Sequence, residues 1–231
     1  WLHGFHATPG VNCFYAGNWV GTTCGTASGG GVVTTWQLHS GDGNRYWSRL
    51  TNNGNLAYQS NCSNLSPGGL SIGGWSNTGN TTISECADAD IAEVITFDRV
   101  LNDARKKIVQ NYLQAKYATA TDLTTLTGDI YAGDLAANGN FDFDVAGIGR
   151  EANGLHLQTR SGGLYLSSTT TDFLKENGDY VMLGRNASTT GWETSDLTPC
   201  GTSPNTSSKR LSRVWWIKTT ETTANGGNVT L

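Results

Sequence analysis

One stretch of this chain has a helical period, and everything around it alternates like a β protein. In NDARKKIVQNYLQAKYA (102–118) the apolar residues Ala104, Ile108, Tyr112 and Leu113 recur three and four apart, with Arg105, Lys106, Gln110 and Gln114 on the other flank. Asn102 precedes the run as an N-cap, Asp103 complements the positive end of the helix dipole, and Lys116 complements the negative end. The spacing predicts a single amphipathic helix between two strand-rich stretches.

Upstream, GGGVVTTWQLHS (29–40) reads as a turn and a β-branched run, and RYWSRL–TNNGN–LAYQS (45–60) reads as a hairpin. SPGGLSIGG (66–74) places a short strand between glycines. DIAEVITFDRV (90–100) alternates, with Ile91, Glu93, Ile95 and Phe97 on one side of a predicted strand. Downstream of 128, seven short apolar-alternating runs separated by Gly, Asn and Asp turns predict a β-sandwich, with 186–209 as a polar surface loop. The expected fold class is therefore all-β, two β-sandwich units joined by one amphipathic helix. The expected division is 1–100, a connecting helix at 101–118, and 119–231.

Composition narrows the function classes. Charged residues are 15% of the 231, the formal charge is −4, and the 15 Lys and Arg are scattered, so nucleic acid finds no basic stripe. No run approaches the ~20 apolar residues that span a bilayer as a helix. With 37% hydrophobic residues and 8 Trp the chain can build a core.

Cys13 and Cys24 flank a hairpin-like stretch, and Cys62 and Cys86 flank another turn-rich one. Sequence-local pairs of this kind suit disulfides and an oxidising, extracellular or cell-surface setting. Cys200 is left as a free thiol or an intermolecular one. Residue 1 is Trp and the one Met is Met182, so the chain is expected not to begin at a translation start. Sequons stand at Asn61, Asn64, Asn80, Asn186, Asn205 and Asn228, close to the number chance supplies.

The run LSIGG…DADIAEVITFDRVLNDARKKIVQNYLQAKYA resembles the end of a laminin-G-like, concanavalin A-like jelly roll of bacterial surface proteins, in which a last strand turns into a capped helix ending in KY. DVAGIGRE…GLHLQTRSGG…GDYVMLGRN…RLSRVWW resembles an uncharacterised β-sandwich module that follows that jelly roll. The two matches cover roughly residues 65–220. The resemblance implies a jelly-roll-like unit, incomplete at its N-terminus, and a second sandwich. It also implies non-catalytic parts of large exported adhesive or structural proteins, whose partners are further copies or other parts of a larger surface protein.

Three site readings compete with that one. Asp88 and Glu93, in DADIAE, match the spacing of laminarinase-type glycoside hydrolases, whose chemistry needs two carboxylates ~5–5.5 Å apart. The plain alternative is an acidic turn entering a strand. Asn138, Asn140, Asp142 and Asp144 form an alternating oxygen array that suits Ca²⁺, against the alternative that Phe141, Phe143 and Val145 take the buried side and leave the polar residues wet. Asp129 and Asp134 could contribute ligands to it but are placed by no motif. Trp19, Trp36, Trp47, Trp75 and Trp192 sit in turn-rich segments where a ring can stack on a sugar, as in a lectin-like module, or simply fill a core. His3 and His6 lack a third metal ligand in spacing, and no other cofactor is implied.

Self-assembly is the remaining expectation. A sandwich entered late in its strand order exposes edges that another copy can fill, with WLHGF or GNVTL as donor strand and Cys200 as a lock. Such a head-to-tail contact grows into a filament.

Overall fold

The computed structural model describes residues 2–5, 12–15, 19–20, 36–43, 47–60, 72, 75–76, 83–84, 90–121, 126–186, 191–193, 209–224 and 226–231. The chain divides into two compact units, Trp1–Leu101 and Asn102–Leu231. Among the described residues, antiparallel strands predominate beside one α-helix, consistent with the all-β class.

In the first unit, β1 (Leu2–Phe5), β2 (Asn12–Tyr15) and β3 (Trp19–Val20) form one antiparallel sheet. β4 (His39–Gly43), β5 (Ser48–Asn52) and β6 (Asn55–Ser60) form another. β7 (Trp75–Ser76) pairs with β8 (Ile83–Ser84). The β5–β6 hairpin turns at Asn53-Gly54, both at positive φ (47° and 79°), the conformation Asn-Gly favours in two-residue hairpins. Asn53 also fixes the chain before β4, because its Oδ1 accepts the Leu38 N–H at 2.8 Å. Ser48 and Leu50 are buried on one face of β5, while Arg49 on the other meets Asp42 of β4 at 3.1 Å.

Residues 90–100 form no strand. Among the described residues nothing ladders with them, and alternation without a partner does not make a sheet. Ile91, Val94, Ile95 and Phe97 are all exposed, so the expected one-sided burial is absent.

The second unit has a sheet with one strand, Tyr180–Arg185, buried on both faces. α1 (Asp103–Thr121) leads, capped as expected: Asn102 Oδ1 accepts the Arg105 N–H at 2.9 Å. Two short 3₁₀ turns follow, at Ala132–Asp134 and Ala136–Asn138. Then come β9 (Phe143–Glu151), β10 (Gly154–His156), β11 (Gln158–Ser161), β12 (Leu164–Ser167), β13 (Tyr180–Arg185), β14 (Trp192–Glu193), β15 (Arg210–Leu211) and β16 (Trp215–Thr220). The central sheet has the order β10-β9-β13-β16; β11–β12 and β14–β15 are separate ribbons.

β13 is buried along its whole length because each face has its own cover. Tyr180 and Met182 pack with Ala104, Ile108 and Ala115 of α1, and with Tyr131, Phe141 and Val145. Val181 and Leu183 point the other way, into Ile148, Leu166, Phe173 and Leu174. The first cover requires glycine beneath it. A Cβ on Gly149 would lie 2.2 Å from the Tyr180 ring, and one on Gly147 would lie 2.3 Å from the Met182 sulfur.

α1 thus serves as a layer of the second unit. Its buried face is Ala104, Ile108, Asn111, Gln114 and Ala115, whereas Tyr112 and Leu113 are half-buried. Gln114 was expected on the solvent flank; it is buried because its amide donates to Asp129 at 2.9 Å. The 186–209 segment, expected without strands, contains β14, which pairs with β15.

Candidate functional site

The site begins where α1 has ended and β9 has not begun. Residues 131–141 form a strap tied across its own base: Tyr131 donates its hydroxyl to the Phe141 carbonyl at 2.8 Å, and the Phe141 N–H donates to Gly133 O at 2.8 Å. Inside, the Asn138 amide donates to Ala132 O at 2.6 Å. Asn111 of α1 positions the entry, its Oδ1 accepting the N–H groups of Ile130 and Tyr131 at 2.9 and 3.1 Å. Against the strap lies Trp216 of β16, whose ring meets Phe141 at a 5.5 Å centroid distance.

Asp134 sits inside this strap at 6% exposure, and its Oδ1 has no hydrogen-bond partner. Burial pushes its carboxyl up to about 6, Asp129 and Asp142 add to the rise, and the N–H groups of Asp134 and Leu135 partly offset it. Burial also raises Asp142, whose Oδ1 is buried without a partner, as is Oε1 of Gln114. Burial raises the Tyr131 phenol, helped by the same two carboxylates, Asp134 and Asp142. The strap borders a cleft of about 430 Å³ lined by Asp129–Ala132 and by Lys218–Glu221.

The four oxygen residues expected to face one Ca²⁺ are not one array. Asn138 belongs to a 3₁₀ turn, Asn140 is at φ 54°, and the strand begins only at Phe143. Asp144, also at φ 54°, sits in an irregularity of β9, where Arg185 pairs with Phe143 and Leu183 with Ala146. The extra residue breaks the period of two. Phe141 and Val145 are buried while Phe143 is 40% exposed, and Asp144 is committed to an ion pair with Arg185. Among the described residues, no three His, Cys, Asp or Glu side chains group to hold a metal.

The tryptophans scatter. Trp19 and Trp75 are on β3 and β7, Trp36 is 38% exposed, and Trp47 lies under the Arg49 guanidinium at 4.4 Å. Trp192 is 69% exposed on β14, opposite Leu211 of β15, also exposed. Cross-strand partners share a face, so these two make an apolar face, while Glu193 and Arg210 form an ion pair at 3.1 Å.

Glu93 is half-buried in the 90–100 segment; Asp88 lies outside the described residues. So do Cys24, Cys62, Cys86 and Cys200 and the sequons at Asn61, Asn64, Asn80 and Asn205. Cys13 is on β2, opposite Gly4. Asn186 and Asn228 are exposed. His3 is on β1, opposite Phe14, and His6 lies outside the described residues. Both expected donor strands are engaged within the chain: WLHGF supplies β1, paired with β2, and in GNVTL Thr230 bridges Ser167 through two 2.9 Å bonds.

Sequence reasoning gave Asp134 only a possible share in the Ca²⁺ array, and gave Trp216 no site. The 3₁₀ turns around Asp134 carry no period to read, and nothing in the sequence around Trp216 signals that its ring meets Phe141.

Compared with protein-family models, with curated proteins and with solved structures, the chain matches none.

Proposed function

We propose that the chain is a non-enzymatic structural or adhesive protein of the cell exterior: a laminin-G-like, concanavalin A-like jelly-roll unit followed by a second sandwich module. The observation that carries the reading is how the second unit uses its charges. They brace one layer against the next. Lys107 on α1 meets Glu151 on β9 at 2.7 Å, and Tyr180 on β13 donates to the same carboxylate oxygen at 2.7 Å. Arg150 on β9 reaches the carbonyls of Leu174 and Lys175 at 3.3 and 2.6 Å, and Lys175 reaches Gly226 O at 2.9 Å. Asp179 accepts the N–H groups of Glu176 and Thr222 at 2.7 and 3.0 Å. A cross-tied sheet of this kind suits a protein that must hold its shape outside the cell. In a filament, β16 offers the edge, having no ladder partner on its outer side among the described residues.

A second reading, a glycan-binding module, is favoured by the Trp192–Leu211 face, since an exposed flat ring beside an aliphatic neighbour stacks on a pyranose. A polysaccharide panel screened for binding and for hydrolysis, with and without Ca²⁺, separates the readings. The structural reading expects neither binding nor turnover. Binding lost in Trp192→Ala supports the second reading. Hydrolysis lost in Asp88→Asn/Glu93→Gln overturns both.

A further inference from the structure

We propose that Asp134 is a proton-operated latch on the 131–141 strap: protonated, it lets the strap lie closed against Trp216, and ionised, it loosens the strap. The geometry comes first. Asp134 is one of the few buried charged side chains in the second unit, one of its oxygens has no partner, and the strap it occupies is a separate closed loop between α1 and β9. The charges that bear on it are those of Asp129, at the strap's entry, and Asp142, at its exit; both are negative. Of the basic groups on the elements around it, Lys107 on α1 pairs with Glu151, and Arg185 on β13 pairs with Asp144 through Nε, its Nη1 being buried without a partner. Lys218 and Glu221 on the β16 side line the cleft outside the strap. Asp129 itself is held, its Oδ1 accepting the Tyr131 N–H at 3.1 Å and its Oδ2 the Gln114 amide.

A metal is a poorer occupant than a proton, because three carboxylates that do not converge cannot share an ion. A proton on Asp134 removes the charge on which Asp129 and Asp142 bear, and it lowers the cost of burying an oxygen that has no hydrogen-bond partner. The sign follows. The carboxyl is raised in the folded state, so the stabilisation is complete at acid pH and is lost as pH rises through about 6. Closing the strap then becomes harder at neutral pH, and the cleft beside Asp129–Ala132 becomes more open.

The test is amide hydrogen exchange of the strap, corrected for intrinsic rates, beside a carboxyl-carbon NMR titration. With a carboxyl at about 6 in the closed strap and at its ordinary value in the open one, protection at Phe141, Asn138 and Gly139 should fall about tenfold from pH 5 to pH 7. Asp134→Asn should show the same protection at both pH values. Asp142→Asn should move the Asp134 midpoint to lower pH. Persistence of the tenfold change in Asp134→Asn overturns the proposal. So does a wild-type Asp134 midpoint near the usual carboxyl value, which decides the matter even if that variant does not fold.

Discussion

Tyr131 donates its hydroxyl to the carbonyl of Phe141, ten residues on, at 2.8 Å, and the bond closes the strap that leads from α1 to β9 in the chain. Gly184 makes the contact feasible, since a Cβ there would lie 2.2 Å from the same hydroxyl. Tyr131→Phe keeps the ring and leaves a buried carbonyl unpaired. The cost should be about 1–3 kcal/mol, read in urea as a lower midpoint with an unchanged slope.

Ile108 and Leu113 distinguish the two faces of α1. Ile108 packs in the cluster with Tyr131 and Met182, while Leu113 is half-buried. Ile108→Asp strands a carboxylate among apolar groups and should cost about 3 kcal/mol or more. Leu113→Asp should cost clearly less. Equal losses in calorimetry would mean that the helix does not use the 104–108–115 face.

The Lys107–Glu151 pair ties α1 to β9 at 2.7 Å, with the lysine 30% and the carboxylate 20% exposed. Partial solvation screens it, so a double-mutant cycle of Lys107→Met and Glu151→Gln should give a coupling of about 1 kcal/mol. Glu151 also accepts from Tyr180, whose phenol is raised by burial and by that carboxylate. Glu151→Gln should therefore be the more damaging single change.

The hairpin and the helix cap were legible because each depends on neighbours in sequence. Asn53-Gly54 sets its own turn, and Asn102 satisfies an N–H three residues on. The strand at 90–100 was not, because alternation names a face but no ladder partner. The alternation read at 138–144 is broken for a different reason: Asn140 and Asp144 adopt positive φ, which no pattern of polar and apolar residues announces. Asp134 is part of the same lesson. The strap around it is positioned by Trp216 and by Asn111 of α1, both distant in the chain.

The first unit should respond to acid in the opposite sense to Asp134. Burial lowers His39 to about 4, so the imidazole is held neutral in the folded state. A lowered pKa leaves that stability intact above the ordinary 6.5 and removes it as pH falls toward about 4. Chemical denaturation of the first unit should show weakening across that window, and His39→Gln should flatten it.

We propose extracellular structural or adhesive work for this chain. It is tested most directly by labelling intact source cells with an antibody to the second unit, with non-reducing peptide mapping of the released protein. Unbroken cells should label, and disulfides Cys13–Cys24 and Cys62–Cys86 should be recovered. Labelling only after lysis, with those four thiols free, would contradict it.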